Sequence, residues 1–209
     1  MKEMYPVVVP NDMVNPVLNG QKTTMRFAVR WPLFSRSDGY KRRIYIRKEV
    51  DHVNELLKKK TRNPMENIST PFRKGRRLYV KEAWHMCGAD NPDGSPHTEF
   101  VYRADSETCK FCGKPVKWKS AIFMPSFIAR IILQVERVWI ERLQDITKNG
   151  VLKEGFGKDL VRKYAGNSHN YRLAFSRFWD SLHARKGYSW KKNPHVWVVK
   201  FFHLSRGKI

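Results

Sequence analysis

The 209-residue chain carries 41 Lys plus Arg against 19 Asp plus Glu, a net charge of +22, which is the electrostatic footprint of a protein that meets phosphates. It contains no run of eighteen apolar residues, which argues against a membrane-spanning helix, and its three cysteines, an odd count, argue against a disulfide framework. The start, Met1-Lys2-Glu3-Met4, holds an acid and a short apolar run broken by Pro6 and Pro10, unlike a secretory signal, so a cytoplasmic protein is expected.

In chain order, Pro6-Val7-Val8-Val9 reads as a short β-branched strand bounded by prolines. Asn15 followed by Pro16 reads as a helix N-cap with proline at the first helical position, and Gly20 ends that turn. The segment Gly20-Gln21-Lys22-Thr23-Thr24-Met25-Arg26 then crowds cations and hydroxyls onto a glycine turn, a poor core and a good anion or nucleobase site. Residues 42–48 alternate basic and apolar, with Ile44 and Ile46 inward and Arg43 and Arg47 outward. Residues 49–60 follow a helical period through Val50, Val53 and Leu57 and end in Lys58-Lys59-Lys60, which the helix dipole favours. The positive charge is clustered: residues 41–81 hold fourteen basic and four acidic side chains, and seven Lys or Arg but no acid follow Asp180. Arg43, Arg76 and Arg77 are therefore candidate phosphate contacts.

Further along, Leu78, Val80, Glu82 and Trp84 share a strand face by alternation, so Glu82 is an acid on an apolar face and needs a cationic partner, Lys22 or Arg26. Cys109-Lys110-Phe111-Cys112-Gly113-Lys114 has the spacing of a zinc-knuckle half-site. Cys87 is the third thiolate, and His85 or His97 is the candidate fourth ligand of a structural zinc. Phe123 is a candidate base-stacking ring or a core aromatic. Residues 131–140 read as a strand with a change of phase after Val135. Thr147 is the N-cap of a short helix that ends near Glu154 with Gly155 as its stop. Phe175, Phe178, Trp179 and Leu182 mark an amphipathic helix from Tyr171, and residues 195–204 form a closing strand.

Six blocks in fixed order give the chain a resemblance to the ASCH family of the PUA-like superfamily, in its phage-encoded branch. They are Gly20 to Arg26; Pro71, Gly75, Leu78, Val80, Lys81, Glu82 and Trp84; Tyr102 to Asp105; Lys117, Trp118, Met124 and Pro125; Glu141 to Thr147 with Glu154 to Phe156; and Phe175 to Ser181 with Asn193 to Val198. The resemblance implies an α+β fold, a PUA-like partly open β-barrel with flanking helices, as a single domain over 1–209. It carries a basic helical insertion at about 41–70 and a small zinc-knuckle-like insertion at about 85–117.

The function implied is nucleic-acid binding, to RNA in preference to DNA or to a modified nucleobase, with Lys22, Thr23, Arg26, Glu82, Trp84 and Phe123 as ligand contacts. Some small bacterial ASCH proteins hydrolyse the acyl group of N4-acetylcytidine with a lysine, a threonine and a glutamate. By motif the lysine is Lys22 and the glutamate Glu154. The threonine position is Met25, so the attacking hydroxyl falls to Thr24, with Thr23 as the alternative. A zinc-stabilised phage accessory protein with a protein partner, in the host cytoplasm, is the third reading.

Overall fold

A computed structural model describes residues 4–29, 33–37, 40–44, 70, 72–88 and 99–204. The helix expected over 49–60, its lysine run, Pro71 and His97 lie outside the described residues. The chain folds as two compact units. One comprises Met1–Gly20, Arg77–Gln134 and His203–Ile209; the other comprises Gln21–Arg76 and Val135–Phe202.

In the first unit, β1 (Tyr5–Val8) pairs parallel with β5 (Arg77–Lys81), which pairs antiparallel with the start of β8 (Ile132–Arg142). Helix α1 (Asn11–Leu18) has Pro10 at its N-cap position, five residues before the expected cap Asn15, and carries Pro16 inside it. Burial of Met13, Val14, Pro16 and Val17 outweighs the hydrogen bond that a proline forgoes. Asn15, expected as the cap, instead donates from Nδ2 to the Ala104 carbonyl at 2.9 Å. Gly20 follows α1 at φ +73, a conformation glycine adopts at little cost. Strands β6 (Trp84–Cys87) and β7 (Glu99–Tyr102) form a hairpin ladder.

In the second unit, β2 (Thr24–Ala28) pairs antiparallel with β9 (His195–Leu204), and β3 (Leu33–Ser37) with β4 (Tyr40–Ile44). Helices α2 (Lys148–Lys153), α3 (Lys158–Ala165) and α4 (Tyr171–His183) complete it. Phe156 packs edge-on against Phe175 and Phe178, with centroids 5.7 and 5.4 Å away, so the aromatics of α4 are core. Helix α3 escaped the sequence reading; its signals are Asp159 in the first turn, Arg162 and Lys163 in the last, and buried Val161 and Ala165 four apart.

Strand β8 runs through both units, and the sheet order is β1-β5-β8-β9-β2. Its burial repeats the two-phase pattern: Leu133 and Val135 are buried, Glu136 and Arg137 are both exposed, then Val138 and Ile140 are buried. The fold is mixed α+β, and the expected barrel is not closed: among the described residues β1 and β2 are the two edges of this sheet. No helix among the described residues is long and apolar enough to cross a membrane.

His183, at the end of α4, stacks on Trp179 with ring centroids 4.1 Å apart. Burial, and then the charge of Lys186, lower its pKa from 6.5 to about 4. The unfolded chain therefore takes up this proton first, so the stability His183 contributes is complete above pH 6.5 and is lost as pH falls through about 4. We predict that His183→Phe, which keeps the stacking, flattens the fall in melting temperature across that interval. An unchanged slope would show that other groups carry the acid sensitivity.

Candidate functional site

The segment read as a cationic turn is the entry to a strand. Lys22 forms an isolated antiparallel bridge with Glu154, Thr23 donates its N–H to Lys153 O at 2.8 Å, and Thr24 opens β2 opposite Lys200 of β9. Alternation then places Lys22, Thr24 and Arg26 on one face and Met25 on the other. Met25 is a buried core side chain, and the hydroxyl that shares the Lys22 face belongs to Thr24.

Glu154 arrives from the far end of α2. Thr147 caps the start of that helix by accepting from Gly150 N at 3.1 Å, as its position predicts. Glu154 sits at the C-cap, followed by Gly155 at φ +90. A carboxylate at a helix C-terminus opposes the macrodipole, so its position needs cations. Lys22 Nζ donates to Glu154 Oε2 at 2.5 Å and to the Glu154 carbonyl at 2.9 Å; Arg26 Nη1 donates to Oε1 at 2.8 Å. Arg26 also reaches Glu141 Oε1 through Nη2 at 2.6 Å and Nε at 3.2 Å, and Trp139 Nε1 donates to Glu141 Oε2 at 2.8 Å. Gly150 makes room: a Cβ there would lie 3.0 Å from Ile146 Cγ1 and 3.5 Å from Arg26 Nη2.

The cluster is closed to solvent, with Lys22, Thr24 and Glu154 each at most 5% exposed. Burial, the largest influence, and the Arg26 charge lower the Lys22 pKa, while Glu154 opposes them. Thr24 Oγ1 is buried with no hydrogen-bond partner among the described residues. Such a hydroxyl costs stability that a ligand contact would restore. A separate cleft of about 280 Å³ in the same unit, lined by residues including Lys158, Arg162, His169 and Tyr171, does not include the cluster residues.

Glu82 is fully buried as expected, but its partner is neither Lys22 nor Arg26. Arg130, not singled out from the sequence, spans both its oxygens at 2.9 Å and both of Asp105 at 2.8 Å. The bidentate fork suits two carboxylates at once. Burial raises the Glu82 pKa against the pull of Arg130; on Arg130, burial is outweighed by the two carboxylates, which hold its proton more firmly. Trp84 is buried against Met124 and Ile128, with the Lys119 ammonium 4.8 Å from its ring centroid. Phe123 is 77% exposed. Arg76 and Arg77 are half-buried and pair through their backbones with Val135 and Gln134, whereas of Arg43 only the strand backbone is described.

The three cysteines converge in the first unit. Their sulfurs lie within 4.8 Å of one another, and Cys87 Sγ is 3.8 Å from Cys112 Sγ. A bridge between Thr108 and Pro115 and the bond from Gly113 N to Cys109 O close the knuckle, with Gly113 at φ +69. Burial raises the Cys109 pKa, but the backbone N–H groups of Cys112 and Phe111 and the neighbouring thiols more than offset it, bringing it to about 7. These three residues are close enough to bind one metal ion. His85 is not part of the group, although its Nδ1 is buried without a partner among the described residues.

Two substitutions separate structure from chemistry at the Lys22 cluster. Glu154→Ala leaves the buried Lys22 ammonium without a carboxylate and takes one of the two carboxylates from Arg26, and is expected to cost about 3 to 5 kcal/mol. Thr24→Val removes only the unpartnered hydroxyl and is expected to leave stability unchanged or raise it by about 1 kcal/mol. Urea melts would check both; a large loss for Thr24→Val would mean that the hydroxyl already has a partner. Comparison with protein-family models, curated proteins and solved structures finds no match to this chain.

Proposed function

We propose that this chain is a nucleic-acid-binding protein of PUA-like (ASCH) type that reads a nucleobase at the Lys22–Arg26–Glu154 cluster, on RNA in preference to DNA. The observation that carries this is the composition of one site: a buried ammonium, guanidinium and carboxylate, a part-buried second carboxylate, and a buried hydroxyl with no partner among the described residues. A cytosine edge presents an exocyclic amine that a carboxylate accepts and ring acceptors that Lys22 or Arg26 satisfies. Because the cluster is buried, a base enters only as a covering side chain moves aside. The net charge of +22 supplies the sequence-independent attraction to phosphates.

Fluorescence anisotropy with a labelled single-stranded RNA tests this. Affinity is expected to fall about a hundredfold between 50 and 200 mM salt if roughly five phosphates are contacted. Salt-insensitive binding, or none, sinks the reading and favours the accessory protein with a protein partner.

A second reading, hydrolysis of N4-acylated cytidine, is favoured by the free Thr24 hydroxyl on the same face as a lysine whose burial pushes it toward the neutral form. In it, Lys22 Nζ takes the Thr24 proton as Oγ1 attacks the acyl carbon. The C–N bond breaks, Lys22 returns the proton to the departing amine, and water cleaves the resulting ester to acid and free hydroxyl, with Glu154 as the proton acceptor. Release of cytidine from N4-acetylcytidine, abolished in the stable Thr24→Val variant and partly kept by Thr24→Ser, is the expected result. No turnover by the wild type leaves recognition without catalysis.

The cofactor in this proposal is a structural zinc on Cys87, Cys109 and Cys112. Sulfurs on a tetrahedral zinc at about 2.3 Å stand about 3.8 Å apart, and the Cys87–Cys112 separation has that value. Cys87, Cys109 and Cys112 would hold the ion, which would neutralise the crowded thiolates and tie the Cys109–Cys112 knuckle to β6, a structural role only. One zinc per chain by elemental analysis, lost in Cys109→Ser together with several degrees of melting temperature, is expected. A metal-free protein with unchanged stability would remove it.

A further inference from the structure

From the first unit we infer a second contact surface for the same class of partner: a stacking platform for single-stranded nucleic acid, built on Ile122, Phe123 and Phe127. The inference rests on the nucleic-acid-binding reading but uses none of the residues of the Lys22 cluster.

Eight large apolar side chains are exposed among the described residues, and the three most exposed, Ile122 at 65% and Phe123 and Phe127 at 77%, fall within six consecutive positions. Scattered apolar exposure is ordinary; a concentrated patch marks a contact surface. The patch also stands on a fixed base. Residues 121–123 and 126–128 form two successive 3-10 turns, capped at Ser120, whose hydroxyl accepts from Ile122 N. Met124, between the exposed rings, and Ile128, just after them, are buried against Trp84, with Phe100 and Tyr102 packed alongside. Met124 Sδ accepts the Glu82 N–H at 3.2 Å, Tyr102 donates its hydroxyl proton to the Ile128 carbonyl at 2.6 Å, and Lys81 Nζ donates to the Ile122 carbonyl. Phe127 leans edge-on against Phe100, with centroids 6.1 Å apart. Two rings are thus held outward by two anchors held inward, so presenting them requires little further ordering on binding.

Charge selects the occupant. Between Glu107 and Glu136 there is no acidic residue, while Lys110, Lys114, Lys117, Lys119 and Arg130 fall in that interval. Arg130 is held by Glu82 and Asp105; the four lysines are exposed. Lys119 is tied to the platform's support through paired backbone hydrogen bonds with Trp84. Exposed rings flanked by unopposed lysines match a strand whose bases stack while its phosphates meet ammonium groups. Duplex hides the base faces and is a poorer match.

The test is anisotropy with a fluorescein-labelled uridine dodecamer and a deoxythymidine dodecamer, with a duplex as control. The wild type is expected to bind both single strands better than duplex. The double variant Phe123→Ala/Phe127→Ala is expected to lose at least about twenty-fivefold in affinity, since each stack contributes about fivefold or more, with an unchanged melting temperature because both rings are exposed. Phe123→Trp should retain binding and Phe123→Leu should lose as much as alanine does. Lys117→Gln and Lys119→Gln should each lower the salt slope by about 0.7.

Wild-type binding that is salt-dependent but indifferent to the phenylalanine variants overturns the platform and leaves the nucleic-acid reading standing. No wild-type binding at low salt sinks both. Full affinity in Phe123→Leu overturns stacking on that ring.

Discussion

A single carboxylate shared between two cations organises the second unit. Glu154 lies at the end of a helix whose dipole repels it, is stripped of water, and holds Lys22 with one oxygen and Arg26 with the other. Desolvating three charges is unfavourable by several kcal/mol per ion unless their geometry repays it. The surrounding structure is arranged around that geometry: the Lys22–Glu154 bridge aligns the two segments, Gly155 takes the left-handed turn that ends α2, Gly150 leaves space for the guanidinium, and Trp139 holds the outer oxygen of Glu141. Such a cluster is costly as mere scaffolding, because a well-packed apolar set would be equally stable or more so. Its retention beside an unpartnered hydroxyl is the reason for assigning ligand recognition to it.

Much of this was legible from residue types, and the failures have physical causes. Local signals were readable wherever one interaction dominates: the Thr147 cap, the Gly155 stop, the aromatic face of α4 and the alternation into Glu82 are all found in place. Non-local pairing was not readable. The Lys22 segment reads as a turn because nothing within it announces β9, whose Val198 and Lys200 lie more than 170 positions away and supply the ladder. For the same reason Glu82 was given the wrong cation: a buried acid demands a partner, but only tertiary structure says that Arg130, placed just after a 3-10 turn, is the one. Proline at position 16 misled in the opposite sense, since a local rule was overridden by four buried side chains of α1.

The distribution of acids bears on how the charge surplus is presented. Glu82, Asp105, Glu141 and Glu154 are engaged with Arg26, Arg130 and Lys22, and Glu136 is paired with Lys200. Glu82 and Glu154, buried in such pairs, are not available to neutralise the exterior, and the other three acids are each already matched by a cation. The exposed lysines of residues 110–119 therefore project their field into solvent, and an ordered row of such charges raises local phosphate concentration within about one Debye length.

The same charge distribution bears on which of the proposed sites would set specificity. Exposed lysines and phenylalanines attract and stack without distinguishing one base from another, because every phosphate is anionic and every base has a π-face. Discrimination needs donors and acceptors held in fixed positions away from water, where a mismatched edge leaves a buried group unsatisfied. Among the described residues, the Lys22–Arg26–Glu154 cluster combines both kinds of group with that burial and with a hydroxyl still unpaired. On the proposed reading, the exposed lysines and phenylalanines would contribute affinity for a strand and the Lys22 cluster the choice of base, and mutation would separate the two contributions because they share no residue.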